Sequence, residues 1–84
     1  MNRKQRISKI LQNNLNDFTV NIVDNSYKHQ GHNQFDGKGE THIQIFLKNK
    51  SNKKPDRLQL HRKINNLLEN EFKSGLHSLE ITIN

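Results

Sequence analysis

The chain contains no cysteine. That excludes a disulfide framework, a thiol nucleophile, and any zinc or iron–sulfur site built from the chain's own thiolates. Any metal must be met by His, Asp or Glu. Long apolar runs are also missing. The longest, Ile45-Phe46-Leu47, spans three residues, far below a membrane span or the core of a secretion signal. The expectation is no membrane association and a cytoplasmic compartment. The first sixteen residues carry no acid and are basic in the manner of an organelle transit peptide, but they also carry the stripe of a structural helix, which is the preferred reading. Motifs of hydrolysis and phosphate binding are absent too: there is no G-x-S-x-G, no HExxH, no Walker A and no G-x-G-x-x-G. Gly37-Lys38-Gly39 is too short to cradle phosphates. A non-enzymatic protein is expected.

What remains is a chain of 84 residues, the size of one small domain covering residues 1–84. The 23 Leu, Ile, Val and Phe side chains exceed the roughly 20% below which a charged chain is expected to stay disordered, so the chain folds with little margin. Net charge is +6 with five histidines counted neutral, a balance that attracts phosphate or an acidic protein surface.

Periodicity divides the chain into elements. Ile7, Ile10, Leu11 and Leu15 form the buried stripe of a helix over Arg3 to Leu15. Phe18, Val20 and Ile22 alternate with Thr19, Asn21 and Val23 in a strand with one core face. From Asn25 to Glu40 periodicity vanishes, and Gly31, Gly37 and Gly39 mark a loop long enough to be functional or disordered. Ile43, Ile45 and Leu47 resume alternation in a second strand, expected antiparallel to the first. After the basic connector Lys48 to Lys54, Pro55 and Asp56 suit a helix start. Leu60, Ile64, Leu67, Leu68 and Phe72 continue its stripe, with a possible split near Pro55, and Gly75 stands just past its end. His77, Leu79, Ile81 and Ile83 form the core face of a third strand, which a right-handed crossover would set parallel to the second. The resulting architecture is α+β: a two-layer sandwich with a three-stranded mixed sheet and the helices on one face.

The histidines bear the chemistry. His29 and His32 lie in the long loop, His42 opens the second strand, His61 sits within the second helix, and His77 opens the third strand. The topology lets several converge on one edge of the sheet. Imidazole is a neutral ligand for zinc, copper and iron, and two imidazoles can replace two thiolates on one iron of a [2Fe–2S] cluster. Solvated loop and strand-end histidines are the plain alternative. A second candidate surface is basic: Arg3-Lys4-Gln5-Arg6, and Lys48 through Lys54 followed by Arg57, Arg62 and Lys63. Such charge supports salt-sensitive phosphate contact. The G-x-x-G loop with which a KH module grips nucleic acid is lacking. Phe46 is the aromatic on the exposed sheet face that could stack a base.

Several pieces taken in order carry a resemblance: Asp24-Asn25-Ser26-Tyr27-Lys28-His29, Gly39-Glu40-Thr41-His42-Ile43, Leu60-His61-Arg62-Lys63, then Glu71 with Gly75-Leu76-His77-Ser78-Leu79. Together the chain closely resembles the BolA-like family from about Ile7 to Ile83. The resemblance implies an αββααβ fold with class II KH-like topology. It also implies a heterodimer with a monothiol glutaredoxin, in which the two proteins share a [2Fe–2S] cluster. Glutaredoxin and glutathione supply thiolates there, while His77 and His29 would supply imidazole, with His32 as the alternative to His29. The isolated chain would hold no cluster stably and would be a monomer or weak homodimer. His42 and His61 match further family histidines and receive a structural reading. The resemblance also carries a second function, transcriptional control of the stress or morphology type through DNA contact by Lys53, Lys54, Arg57, Arg62 and Lys63. The chain departs from the family there. It lacks the F-x-G element ahead of the R-H-R motif, and Leu60 stands where that motif's first arginine would be, so only weak, non-specific DNA contact is expected.

Overall fold

The computed structural model describes residues 2–25 and 41–84. The first helix, α1 (Arg3–Asn14), opens with a reciprocal cap. Asn2 Oδ1 accepts from the Gln5 backbone N–H at 2.8 Å, and the Gln5 side chain accepts from the Asn2 N–H at 3.0 Å. Two otherwise unpartnered donors are thereby satisfied. The helix buries Ile7 and Leu11, and Leu15 follows into the core.

Strands β1 (Phe18–Asp24) and β2 (His42–Asn49) run antiparallel, with Ile22 opposite Ile45 and Val20 opposite Leu47. Strand β3 (Ser78–Ile83) lies parallel to β2, with Ile45 opposite Ile81 and Leu47 opposite Ile83. Sheet order is β1-β2-β3. Because side chains alternate across a strand, this register gathers Val20, Ile22, Ile43, Ile45, Leu47, Leu79, Ile81 and Ile83 on one face. There they share a single core with Ile7, Leu11, Leu60, Ile64 and Leu68 from the helices. The opposite face carries Thr19, Asn21, Gln44, Phe46, Glu80 and Thr82. The expected α+β sandwich is therefore the observed one.

Three local expectations are corrected. The second helical segment does not divide near Pro55. Helix α2 (Arg57–Leu67) starts cleanly after Asp56, whose carboxylate accepts from the Gln59 N–H at 3.1 Å, and the break falls at Leu68, before α3 (Glu69–Lys73). That break also overturns the place of Phe72 in the buried stripe. In an uninterrupted helix Phe72, four residues after Leu68, would share its face; the turn at Leu68 rotates α3 so that Glu71 is buried at 6% exposure and Phe72 is left at 36%. Finally, His77 does not begin the core face of β3. It precedes the strand and is exposed. Gly75, just past α3 as expected, has φ +125°, a backbone region that side chains rarely adopt.

Candidate functional site

The register of β2 and β3 decides where the histidines meet. His42 pairs with Ser78, so the residue before β3 lies beside the start of β2. Thr41 makes this juncture rigid. It is buried, and its carbonyl accepts both the His77 N–H at 2.8 Å and the Ser78 N–H at 3.1 Å. Its hydroxyl lies 2.9 Å from His42 Nδ1. The His42 and His77 rings consequently stack, with centroids 6.1 Å apart and planes 19° from parallel. From the other side, the Asn25 N–H donates to the His42 carbonyl at 2.8 Å and the Asn25 amide to Gln44 Oε1 at 2.7 Å. All three strands are thus stitched together at the end that bears the imidazoles.

His77 is exposed and His42 half-buried. His29 and His32 belong to residues 26–40, which lie outside the described residues, as does any contact they make with His77. His61 is half-buried on α2, and Leu60, in place of the arginine of an R-H-R motif, is buried in the core. Among the described residues no group of three or more His, Asp or Glu side chains could hold a metal ion. One exposed imidazole, His77, with no thiolate anywhere in the chain, fits a nitrogen contribution to a cluster and not a complete ligand set.

Behind His77 stands a strut that the sequence pattern missed. Glu71 accepts from Arg6 Nε at 2.8 Å, a second Arg6 nitrogen at 2.9 Å and Arg3 Nε at 3.0 Å. Arg3 also donates to the Ser74 carbonyl at 2.9 Å and to its hydroxyl at 3.1 Å. The Arg6 hydrogen bond holds the Glu71 carboxyl below its ordinary pKa, against the opposing effect of burial and with Arg3 adding to the depression. Arg3 and Arg6, spaced i, i+3 on one helix and expected with Lys4 as a basic surface for phosphate, together clamp the N-terminal helix to the turn that delivers His77. The available signal was an acid three residues after Leu68, on the inward side of an apolar stripe.

The five basic residues proposed for nucleic acid divide differently. All are exposed, and no described carboxylate forms an ion pair with any of them. Arg62 and Lys63 line a shallow hollow on α2 with Gln59, Asn66 and Leu67, and Lys63 Nζ donates to the Asn14 carbonyl at 3.2 Å. Lys53 and Lys54 stay on the connector, and Arg57 starts the helix.

The BolA-like protein family model matches residues 11–84. The chain belongs to the BolA-like family. Among curated relatives of this BolA-like chain, the UV-induced protein uvi31 of Schizosaccharomyces pombe is 34% identical, over 98% of this chain and 83% of the relative. Protein BOLA1, chloroplastic, of Arabidopsis thaliana is 34% identical over 95% of this chain and 51% of its own length. The SufE-like protein 1, chloroplastic/mitochondrial, of the same plant is 35% identical over 94% of this chain, which spans 22% of that longer protein. Solved structures agree with the BolA-like fold. The BolA domain of SufE1 and BolA1, both from Arabidopsis thaliana, each give a TM-score of 0.79, at 33% and 32% identity, covering 100% of this chain and 92% of theirs. No described helix is long and apolar enough to cross a membrane.

Proposed function

We propose that this chain is a non-enzymatic iron–sulfur assembly, trafficking or iron-regulatory factor that binds a monothiol glutaredoxin and shares a [2Fe–2S] cluster with it. The observation that carries the reading is an exposed imidazole, His77, held at a stitched sheet end in a cysteine-free member of the BolA-like family. Thiolates for such a cluster come from glutaredoxin and glutathione; His77, with His29 or His32, supplies nitrogen. The backbone bond to Thr41 fixes where His77 leaves the sheet, and the positive net charge steers an acidic partner surface toward it. A homologous domain carried within a SufE-like protein is consistent with work alongside other components. Mixing the chain with a monothiol glutaredoxin, glutathione, iron and sulfide is expected to give a visible-absorbing heterodimer whose circular dichroism changes in His77→Ala. An unchanged spectrum in that variant would remove the ligand assignment.

A second reading, nucleic-acid binding, draws on one observation: Lys53, Lys54, Arg57, Arg62 and Lys63 are all exposed and without an acidic partner among the described residues. It predicts steep salt dependence and weaker binding on replacing Lys53, Lys54 and Arg57 with alanine. Binding that is sequence-independent and vanishes near physiological salt would reduce it to a charge effect.

A further inference from the structure

We infer that the outer face shared by α1 and α2 is a docking site for an acidic amphipathic helix of a partner protein. Two shallow hollows lie there, one on each helix. Lys9, Ile10 and Asn14 line the hollow on α1, and Arg62, Lys63 and Leu67 line the hollow on α2; the other lining residues are Arg6, which Glu71 holds, and amides. Lys63 Nζ donates to the Asn14 carbonyl at 3.2 Å, so a residue of one hollow touches a residue of the other. Both hollows have the same build. A half-buried aliphatic side chain, Ile10 or Leu67, packs against the core and is ringed by cations and amides. No acid lines either one. Lys9, Arg62 and Lys63 are exposed, and among the described residues no carboxylate forms an ion pair with them.

This lining selects its occupant. The backbone groups of α1 and α2 bond within their own helices, so the face offers an extended segment no strand to pair with. A helix needs none, because it satisfies its own backbone. It can lay an apolar stripe on Ile10 and Leu67 while carboxylates beside the stripe meet Lys9, Arg62 and Lys63. The net charge of +6 adds long-range attraction for such an acidic partner. Nucleic acid fits less well. No aromatic ring lines either hollow to stack a base, and Lys53, Lys54 and Arg57 stand outside both. The face is also separate from the imidazole end of the sheet. Arg3 holds the Gly75 turn through Ser74, and Asn14, where Lys63 joins α1, ends that helix about 16 Å farther on. Docking there requires neither a glutaredoxin nor a cluster.

The test uses the full chain and a synthetic peptide of about 15 residues, long enough to form a helix, with leucines at i, i+3, i+4 and i+7 and glutamates between them. Titration at about 0.15 M salt is followed by proton–nitrogen correlation spectra. Shifts are expected to cluster on Lys9, Ile10 and Asn14 and on Arg62, Lys63 and Leu67. Lys9→Glu/Arg62→Glu should weaken binding at least about tenfold, whereas Lys53→Glu/Lys54→Glu, with the same change in net charge, should weaken it less than about threefold. All four positions are exposed, so both double variants should keep the native far-ultraviolet circular dichroism. His77→Ala should leave the peptide affinity unchanged. Equal binding by a scrambled peptide of the same composition, equal losses in the two double variants, a loss in His77→Ala, or no binding by the wild-type chain would each overturn the proposal. A DNA duplex that shifts the same residues and displaces the peptide at that salt would overturn it in favour of nucleic acid.

Discussion

Two polar clusters lie on either side of the Gly75 turn, and they are built in opposite ways. The Arg3–Arg6–Glu71 strut is largely covered, with the Glu71 side chain 7% exposed and several short charged hydrogen bonds converging on its two oxygens. The His42–His77 pair is held by its backbone, and its rings meet through stacking at the surface. Buried charge that has lost its water must be paired in the fold. Chemistry aimed at a partner needs the reverse, a side chain that the fold positions and leaves at the surface, as it does His77. The strut thus belongs to stability, and His77 stands exposed where the proposed contact would use it.

The sharpest way to break this comparison is Glu71→Ala, which takes the carboxylate away from two guanidinium groups, one of them largely covered. A loss of about 3 kcal/mol is expected in urea denaturation, at the low end for a broken buried pair because Arg6 is partly exposed. A loss under about 1 kcal/mol would make the strut an ordinary surface pair. Gly75→Ala comes next, at about 1–2 kcal/mol, because φ +125° is strained for any side chain and the Arg3 guanidinium lies 3.5 Å from the new methyl. Thermal melting reads that cost, and an unchanged melting temperature would contradict it.

Acid sensitivity separates the clusters further. The folded-state pKa of Glu71 is depressed, so its contribution is fully present above the unfolded value of about 4.3 and is lost as pH falls through the lower folded value. Stability should therefore decline below about pH 4–5, and Glu71→Gln should flatten that limb. An equally steep limb in the variant would assign the acid sensitivity elsewhere. The smallest effect on stability is expected for His77→Ala, within about 0.5 kcal/mol because the side chain is exposed. The same substitution should alter the spectrum of the glutaredoxin mixture. Marked destabilisation by it would erase the division between the two clusters.

Legibility in the sequence followed the length scale of the interaction. The stripe of Ile7, Leu11 and Leu15 and the alternation of Ile43, Ile45 and Leu47 were readable because helix and strand periods are local, and each predicted apolar face is buried. Phe72 was misplaced because one turn at Leu68, stabilised by non-local pairing of Glu71, reset the helical phase. His77 was singled out through family resemblance. Its stacking on His42 was invisible, since residues 35 positions apart in the chain become neighbours only through strand register.

The residues by themselves determined that no thiolate could come from this chain, that helices and strands would follow one another in this order around one small core, and that imidazole or carboxylate was the available metal donor. Composition and short-range periodicity suffice for those statements. Tertiary structure alone decided which histidine stands beside which, and which charges are clamped and which face solvent. Strand register and one helix break bring distant residues within hydrogen-bonding and stacking range, and no local pattern encodes that distance.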